Sequence, residues 1–144
     1  MRLSTRSRYG VRMVLDIALN GDDGPVRIGD IAKRQGISMK YLEKLIRILK
    51  QAGYIKSKRG PKGGHSLARP LQEISVGEVV RVLEGQSALT ACVEDEKACQ
   101  TCDNAADCLT RELWTEASEA MFAKLDSYTL AEVVKDRTSI INAT

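Results

Sequence analysis

"VRIGDIAKRQGISMKYLEKLIRILKQAGYIKSKRGPKGG" (Val26–Gly64) decides the fold. Ile28, Ile31 and Ala32 mark a short amphipathic helix, and Gly36 breaks it. Ser38 is placed to cap a second helix, because its hydroxyl accepts an unpaired first-turn amide. That helix carries Leu42, Leu45, Ile46 and Leu49 at i, i+3, i+4, i+7, and Gly53 stops it. "YIKSK" (Tyr54–Lys58) then alternates apolar and polar, "RGPKGG" (Arg59–Gly64) turns, and "HSLA" (His65–Ala68) reads as the return strand. Helix, glycine turn, helix and hairpin make a winged helix-turn-helix. Ala32 is small enough for a close helix crossing, Gly36 supplies the turn, and Leu42 buries the second helix against the first. An ordinary αα-hairpin also favours glycine in its turn. The basic second helix (Lys40, Lys44, Arg47, Lys50) and the basic hairpin behind it favour the DNA-reading unit.

The flanks fit a mostly α chain. One helix is predicted from about Ser7 to Leu19, with Tyr9, Met13, Val14 and Ile17 on one face, stopped by "NGDDGP" (Asn20–Pro25). "SVGEVVRVLEG" (Ser75–Gly85) opens with a capping box, Ser75 and Glu78, and turns Val76, Val79, Val80 and Leu83 inward. From about Cys108, Leu109, Leu113, Ala117, Met121 and Leu125 recur every four residues in one long helix. Thr129 and Glu132 start another. Aromatics are few, so Leu, Ile, Val and Ala must fill the core.

Charge divides the 144 residues. Residues 1–70 hold 16 Lys/Arg against 5 Asp/Glu, and residues 71–144 hold 6 against 14. A basic half of this strength suits a polyanion, nucleic acid first. No apolar run is long enough for a membrane span. "MRLSTRSRYG" (Met1–Gly10) lacks the apolar stretch of a signal peptide, which points to the cytoplasm and no membrane partner.

In a winged helix-turn-helix the second helix enters the major groove and its first residues meet base edges. Those are Ser38, Met39, Lys40 and Tyr41, with Glu43 next on the exposed side. Glu43 has two readings of equal weight: acceptor from a cytosine amine, or ion pair with Arg47. Arg59 on the wing tip suits a narrow minor groove, and Lys58 and Lys62 suit phosphates. Arg2, Arg6 and Arg8 add phosphate contacts. His65, the single histidine, is read as a wing residue, not a ligand.

All four cysteines lie in "ACVEDEKACQTCDNAADCLTRELW" (Ala91–Trp114), spaced C-x6-C-x2-C-x5-C: Cys92, Cys99, Cys102 and Cys108. In a reducing cytosol such a cluster favours metal or redox chemistry over structural disulfides. Thiolates suit zinc and iron–sulfur clusters. Structural zinc normally uses two short knuckles, and here only Cys99–Cys102 makes one. Spacing therefore favours a cluster and leaves zinc, or free thiols, open. Cys99-Gln100-Thr101-Cys102 as a thiol redox motif would need a βαβ context, which is absent. No paired carboxylates, Ser/His arrangement or phosphate loop suggests an enzyme.

"MRLSTRSRYGVRMVLDIAL" (Met1–Leu19), "GISMKYLEKL" (Gly36–Leu45), "RGPKGG" and "SVGEVV" (Ser75–Val80) resemble the Rrf2 family of winged-helix regulators, of the IscR and NsrR type, over Met1 to about Val134. The resemblance implies a homodimeric transcription regulator on a pseudo-palindromic operator, with Ser38, Tyr41, Glu43 and Arg59 as reading residues and the long C-terminal helix as the dimer element. The expected regions are a DNA-binding domain at 1–84, a cysteine loop at 85–108, and dimerisation and C-terminal helices at 109–144. The family type also implies an iron–sulfur cluster on three cysteines of this loop. Arg111 stands where the IscR type has a histidine ligand, and Arg8 where some NsrR-like members have an acidic one. Neither arginine can ligate. Either Cys99 or Cys102 is spare, or all four cysteines bind; an all-cysteine site, holding a two-iron or four-iron cluster, is the simpler repair. The alternative is a zinc-bound or metal-free loop that senses through a protein partner or thiol oxidation.

Overall fold

The computed structural model describes residues 2–142, with side chains as far as Arg137. The helices are α1 (Thr5–Asn20), α2 (Ile28–Gln35), α3 (Met39–Gln51), α4 (Val76–Glu84), α5 (Ala91–Glu94), α6 (Glu96–Gln100), α7 (Leu109–Asp126) and α8 (Leu130–Asn142). Strands β1 (Ile55–Lys58) and β2 (Gly64–Leu67) lie between α3 and α4. Single 3-10 turns occupy Leu71–Glu73 and Ala105–Asp107.

Helix α1 begins before the predicted Ser7, because Ser4 caps it and accepts from the Ser7 amide at 3.4 Å. Glu84, at the end of α4, holds that cap: its carboxylate accepts from the Ser4 amide (3.0 Å) and the Ser4 hydroxyl (2.8 Å). The predicted capping box of α4 is present, with Ser75 accepting from the Glu78 amide and Glu78 accepting from the Ser75 amide.

The core gathers Met13, Val14 and Ile17 of α1, Ile31 of α2, and Leu42, Leu45, Ile46 and Leu49 of α3. Ile55, Ile74, Val79, Leu83 and Leu130 complete it. α1 and α4 cross closely at Gly10, where an added Cβ would sit 2.2 Å from a Leu83 methyl.

The wing is antiparallel, with Ile55 opposite Leu67 and Lys58 opposite Gly64. Val26, just before α2, adds a bridge to His65: its amide donates to the His65 carbonyl at 2.9 Å and its carbonyl accepts from the His65 amide at 2.8 Å. Gly64 is required beside it, since a Cβ there would lie 2.6 Å from the Val26 carbonyl oxygen.

The long helix α7 buries only Ser118 and Phe122. The predicted Leu109–Leu125 stripe is offset from that inner face. Leu109 is 93% exposed and Leu113 54%, while Ala117, Met121 and Leu125 are half-buried. α8 then returns to the N-terminal half, where Leu130 is fully buried and its amide donates to the Ile74 carbonyl at 2.9 Å. Within the expected 109–144 segment, α7 and α8 thus have different packing; residues 143–144 lie outside the described residues.

Candidate nucleic-acid interface and cysteine loop

Gly36 ends α2 in the left-handed region (φ 64°), with its amide donating to the Ala32 carbonyl at 2.9 Å. Two residues later Ser38 caps α3, its hydroxyl oxygen accepting from the Tyr41 amide at 3.3 Å. This turn leaves Ser38, Met39, Lys40, Glu43, Lys44 and Arg47 exposed on one helix. Among the described residues the ion pairs are Arg34–Asp16, Arg69–Glu78 and Arg81–Asp126. Glu43 and Arg47 are both exposed and make no ion pair with each other.

Tyr41 is half-buried. Its hydroxyl lies 3.3 Å from the Thr5 hydroxyl, and its ring meets Tyr9 edge-on at 6.0 Å. A residue expected to face bases thus also ties α3 to α1. Arg8 and Arg12 guanidinium groups lie over the Tyr9 ring at 5.9 and 5.6 Å. Arg2 and Arg6 are exposed at the start of the chain. Arg2 lines a small cleft with Leu3, Val80, Glu84 and Phe122.

Lys58, Arg59 and Lys62 are all exposed on the wing. The tip closes through a Gly63 amide to Gly60 carbonyl bond of 2.9 Å. The Arg27 guanidinium donates to the Pro61 carbonyl and braces the tip from α2's N-cap position. Arg27 was missed by sequence reasoning; a basic residue 34 positions from its partner leaves no local signal. His65 sits in the wing as expected: its Nδ1 lies 2.9 Å from the Ser57 hydroxyl, and burial, with Lys50 nearby, holds its pKa below the ordinary value.

The cysteines are four free thiols spread along the connection from α4 to α7. Cys92, on α5, is half-buried with its sulfur 3.3 Å from the Thr90 hydroxyl. Cys99, on α6, is buried, and Cys102 is exposed one turn on. Cys108 caps α7. Hydrogen bonding from the Thr110 side chain, then from the Thr110 and Arg111 amides, holds the Cys108 thiol below its usual pKa and favours thiolate. The donor chemistry suits a thiophilic metal. The arrangement does not gather it: among the described residues no three His, Cys, Asp or Glu side chains are placed to hold a metal ion.

The first part of the loop is tied to itself and to α7. Glu94 accepts from the Ser87 amide at 2.8 Å, and the Leu89 amide donates to the buried Ser118 hydroxyl of α7 at 2.9 Å. Farther along α7, Asp126 accepts from both Arg81 nitrogens (2.8 and 2.6 Å) and from the Ser75 hydroxyl (3.1 Å). Arg81 also lies over the Phe122 ring at 4.4 Å. One helix thus joins the cysteine loop to α4 of the DNA-binding half. No helix among the described residues is long and apolar enough to cross a membrane.

Comparison with known proteins gives a consistent answer. The model of the Rrf2 family, described as iron-dependent transcriptional regulators, matches residues 3–136. Protein rrf2 of Nitratidesulfovibrio vulgaris is 54% identical over 136 residues, 94% of this chain and 89% of its own length. The structure of T. potens IscR is similar with a TM-score of 0.75 and 36% identity, covering 95% of this chain and 88% of that one. The structure of CymR, described as the global cysteine regulator of B. subtilis, also has a TM-score of 0.75, with 33% identity over 94% of this chain and 97% of that one.

Proposed function

The chain belongs to the Rrf2 family of transcriptional regulators, and from that premise we propose a homodimeric, cytoplasmic regulator whose operator affinity is set by an iron–sulfur cluster on Cys92, Cys99, Cys102 and Cys108. One observation carries the reading: four free thiols lie on the connection between α4 of the DNA-binding half and α7, the last of them, Cys108, at the N-cap position of α7. Similarity to T. potens IscR supports it. Since Arg111 cannot ligate, the fourth thiolate comes from the chain's additional cysteine.

The two-iron or four-iron cluster, when bound, supplies an oxygen- and redox-sensitive cross-link between segments of the loop. The chain's own residues do the rest. Leu89 and Ser118 carry the position of the loop to α7, and Asp126 and Arg81 carry the position of α7 to α4. The outer face of α7 (Leu109, Leu113, Trp114) packs against a second copy, so residues 1–84 read DNA, 85–108 sense and 109–144 supply the dimer contact with a helix that returns to the core. Ser38, Lys40, Tyr41 and Glu43 meet base edges of one half-site, Arg59 enters the minor groove, and Lys58, Lys62 and Arg2 meet phosphates. Half-sites lie about one helical turn apart.

The test is iron and sulfide analysis with visible absorption of anaerobically purified protein. Cys99→Ala and Cys102→Ala should each lower cluster retention; full retention in either identifies a spare cysteine and refutes the all-cysteine site.

A second reading is favoured by the similarity to CymR, described as a cysteine regulator. The loop then holds zinc or no metal and senses through thiol oxidation or a protein partner. Iron-free protein whose operator affinity shifts with peroxide, or with an added partner, would establish this reading over the first.

A further inference from the structure

Among the described residues Asp16 is the one buried carboxylate, with its side chain 2% exposed. It lies in α1, where Asn20 Nδ2 donates to it at 3.5 Å, and its closer partners come from the last turn of α2. Arg34 donates to it through Nε (3.2 and 3.1 Å) and through a terminal nitrogen (2.6 Å), and Gln35 Nε2 donates at 2.7 Å. One turn earlier on the same face of α1, Arg12 donates to the Gln35 side-chain oxygen at 3.1 Å and to the Gln35 carbonyl at 2.7 Å. Gln35 is thus gripped from two sides, immediately before the left-handed Gly36 turn and the Ser38 cap of the recognition helix.

The same face continues toward the start of α1. Thr5, Tyr9, Arg12 and Asp16 recur at i, i+4, i+7, i+11, which aligns them along one side of a helix. Thr5 and Tyr9 touch Tyr41 of α3, while Arg12 and Asp16 hold the end of α2. A polar strip of α1 thus backs both helices of the DNA-reading unit.

Helix α2 needs such a device. It has eight residues, buries only Ile31, and lacks a side-chain N-cap. Ile28 and Ala32 flank that anchor only half-buried against the core, a narrow apolar footing for setting the rotation of a short helix. A buried ion pair is weak evidence for stability, because an apolar replacement is often as stable. What it adds is direction: the Arg34 fork and the Gln35 amide fit the carboxylate in one orientation.

We propose that Asp16 is a positioning residue for operator recognition: by fixing the last turn of α2 against α1, it sets the angle at which α3 meets the major groove. It acts through Arg34, Gln35 and the Gly36 turn and touches no base. Phosphate contacts by the wing and the N-terminal arginines do not depend on it.

The test compares Asp16→Asn with the unaltered full-length protein on two duplexes. One is an operator selected from a random pool by the unaltered protein, and the other is an unrelated duplex of equal length. Asparagine keeps the shape and removes the charge that orders Arg34. Operator affinity should fall about ten-fold or more, comparable to mismatching the site, while non-specific affinity and its salt slope stay within about two-fold. Arg34→Gln, at a side chain 39% exposed, should shift the same ratio, and the double variant should lose less than the sum of the two. Parallel loss on both duplexes, an unchanged ratio in folded protein, or additive losses would overturn the proposal. Should Asp16→Asn fail to fold, Arg34→Gln alone decides: a lower operator-to-non-specific ratio supports it and an unchanged ratio overturns it.

Discussion

Phe122→Ala tests how α7 is attached. α7 buries only Ser118 and Phe122, and Phe122 is 5% exposed. Truncating a buried phenylalanine costs about 3–5 kcal/mol from lost transfer energy and the cavity left behind. The Arg81 guanidinium stacked 4.4 Å from the ring centroid loses about 0.5–1 kcal/mol more, at the low end because Arg81 is a third exposed. The total is about 4 kcal/mol, a large part of the roughly 5–15 kcal/mol that holds a domain together. For a chain of this length each kcal/mol moves Tm by about 3 °C, so the midpoint should fall by about 12 °C. Thermal unfolding followed by circular dichroism and calorimetry measures it. Protein concentration is held fixed and the samples are chelator-treated, so that neither dimerisation nor bound metal adds stability. A fall under about 3 °C would refute the reasoning: α7 would then detach by local opening while the rest of the core, Leu130 included, stays folded.

Other outcomes follow from the same geometry. Arg59→Ala should cost about 1–3 kcal/mol on a specific site and relax its sequence preference, whereas Lys62→Ala should lower the salt slope by about one with little sequence effect, both read from binding isotherms at several salt concentrations. Leu113→Glu places a charge on the exposed face of α7 and should shift the chain to monomer in light scattering without lowering its helix content; an unchanged dimer would remove α7 from the interface. Burial alone would raise the Glu84 pKa, but hydrogen bonds from Ser7 and Ser4 hold it below the ordinary 4.5. A lowered folded value contributes stability above the ordinary value and loses it as pH falls through the lower one, so Glu84→Gln should flatten the acid limb of a Tm-against-pH curve below about pH 4.5 and lower the neutral-to-alkaline limb without changing its slope.

Which features were legible from sequence depends on the range of the interactions behind them. Ser38, Gly36 and the Ser75–Glu78 box act within one turn, so caps and boundaries show in the residues themselves. The apolar repeat Leu42–Leu49 settles which face of α3 is buried, because burial follows helical period. Long-range pairings left no such trace. α1 starts at Thr5 through a carboxylate 80 residues away, Val26 joins the wing through backbone bonds to His65, and Tyr41 packs on Tyr9. Helices α5 and α6 span four and five residues, too short for period to speak. The α7 stripe was legible as a pattern, but identical leucine spacing serves a core or an interface. Only the exposed Leu109 and Leu113 set it apart from the face that buries Phe122. The cysteine spacing announced thiol chemistry, whereas which thiols converge depends on the ligand that draws them together.

The central claim is that the state of the Cys92–Cys108 loop sets DNA affinity. The most direct measurement is the Kd for one selected operator of anaerobically isolated protein and of the same preparation after iron chelation under reducing conditions, at one salt concentration. The account predicts iron and sulfide in the first sample and at least about a ten-fold difference in Kd between the two, within the usual range of coupling between sites. Equal Kd values from a sample shown to hold iron and sulfide would contradict it.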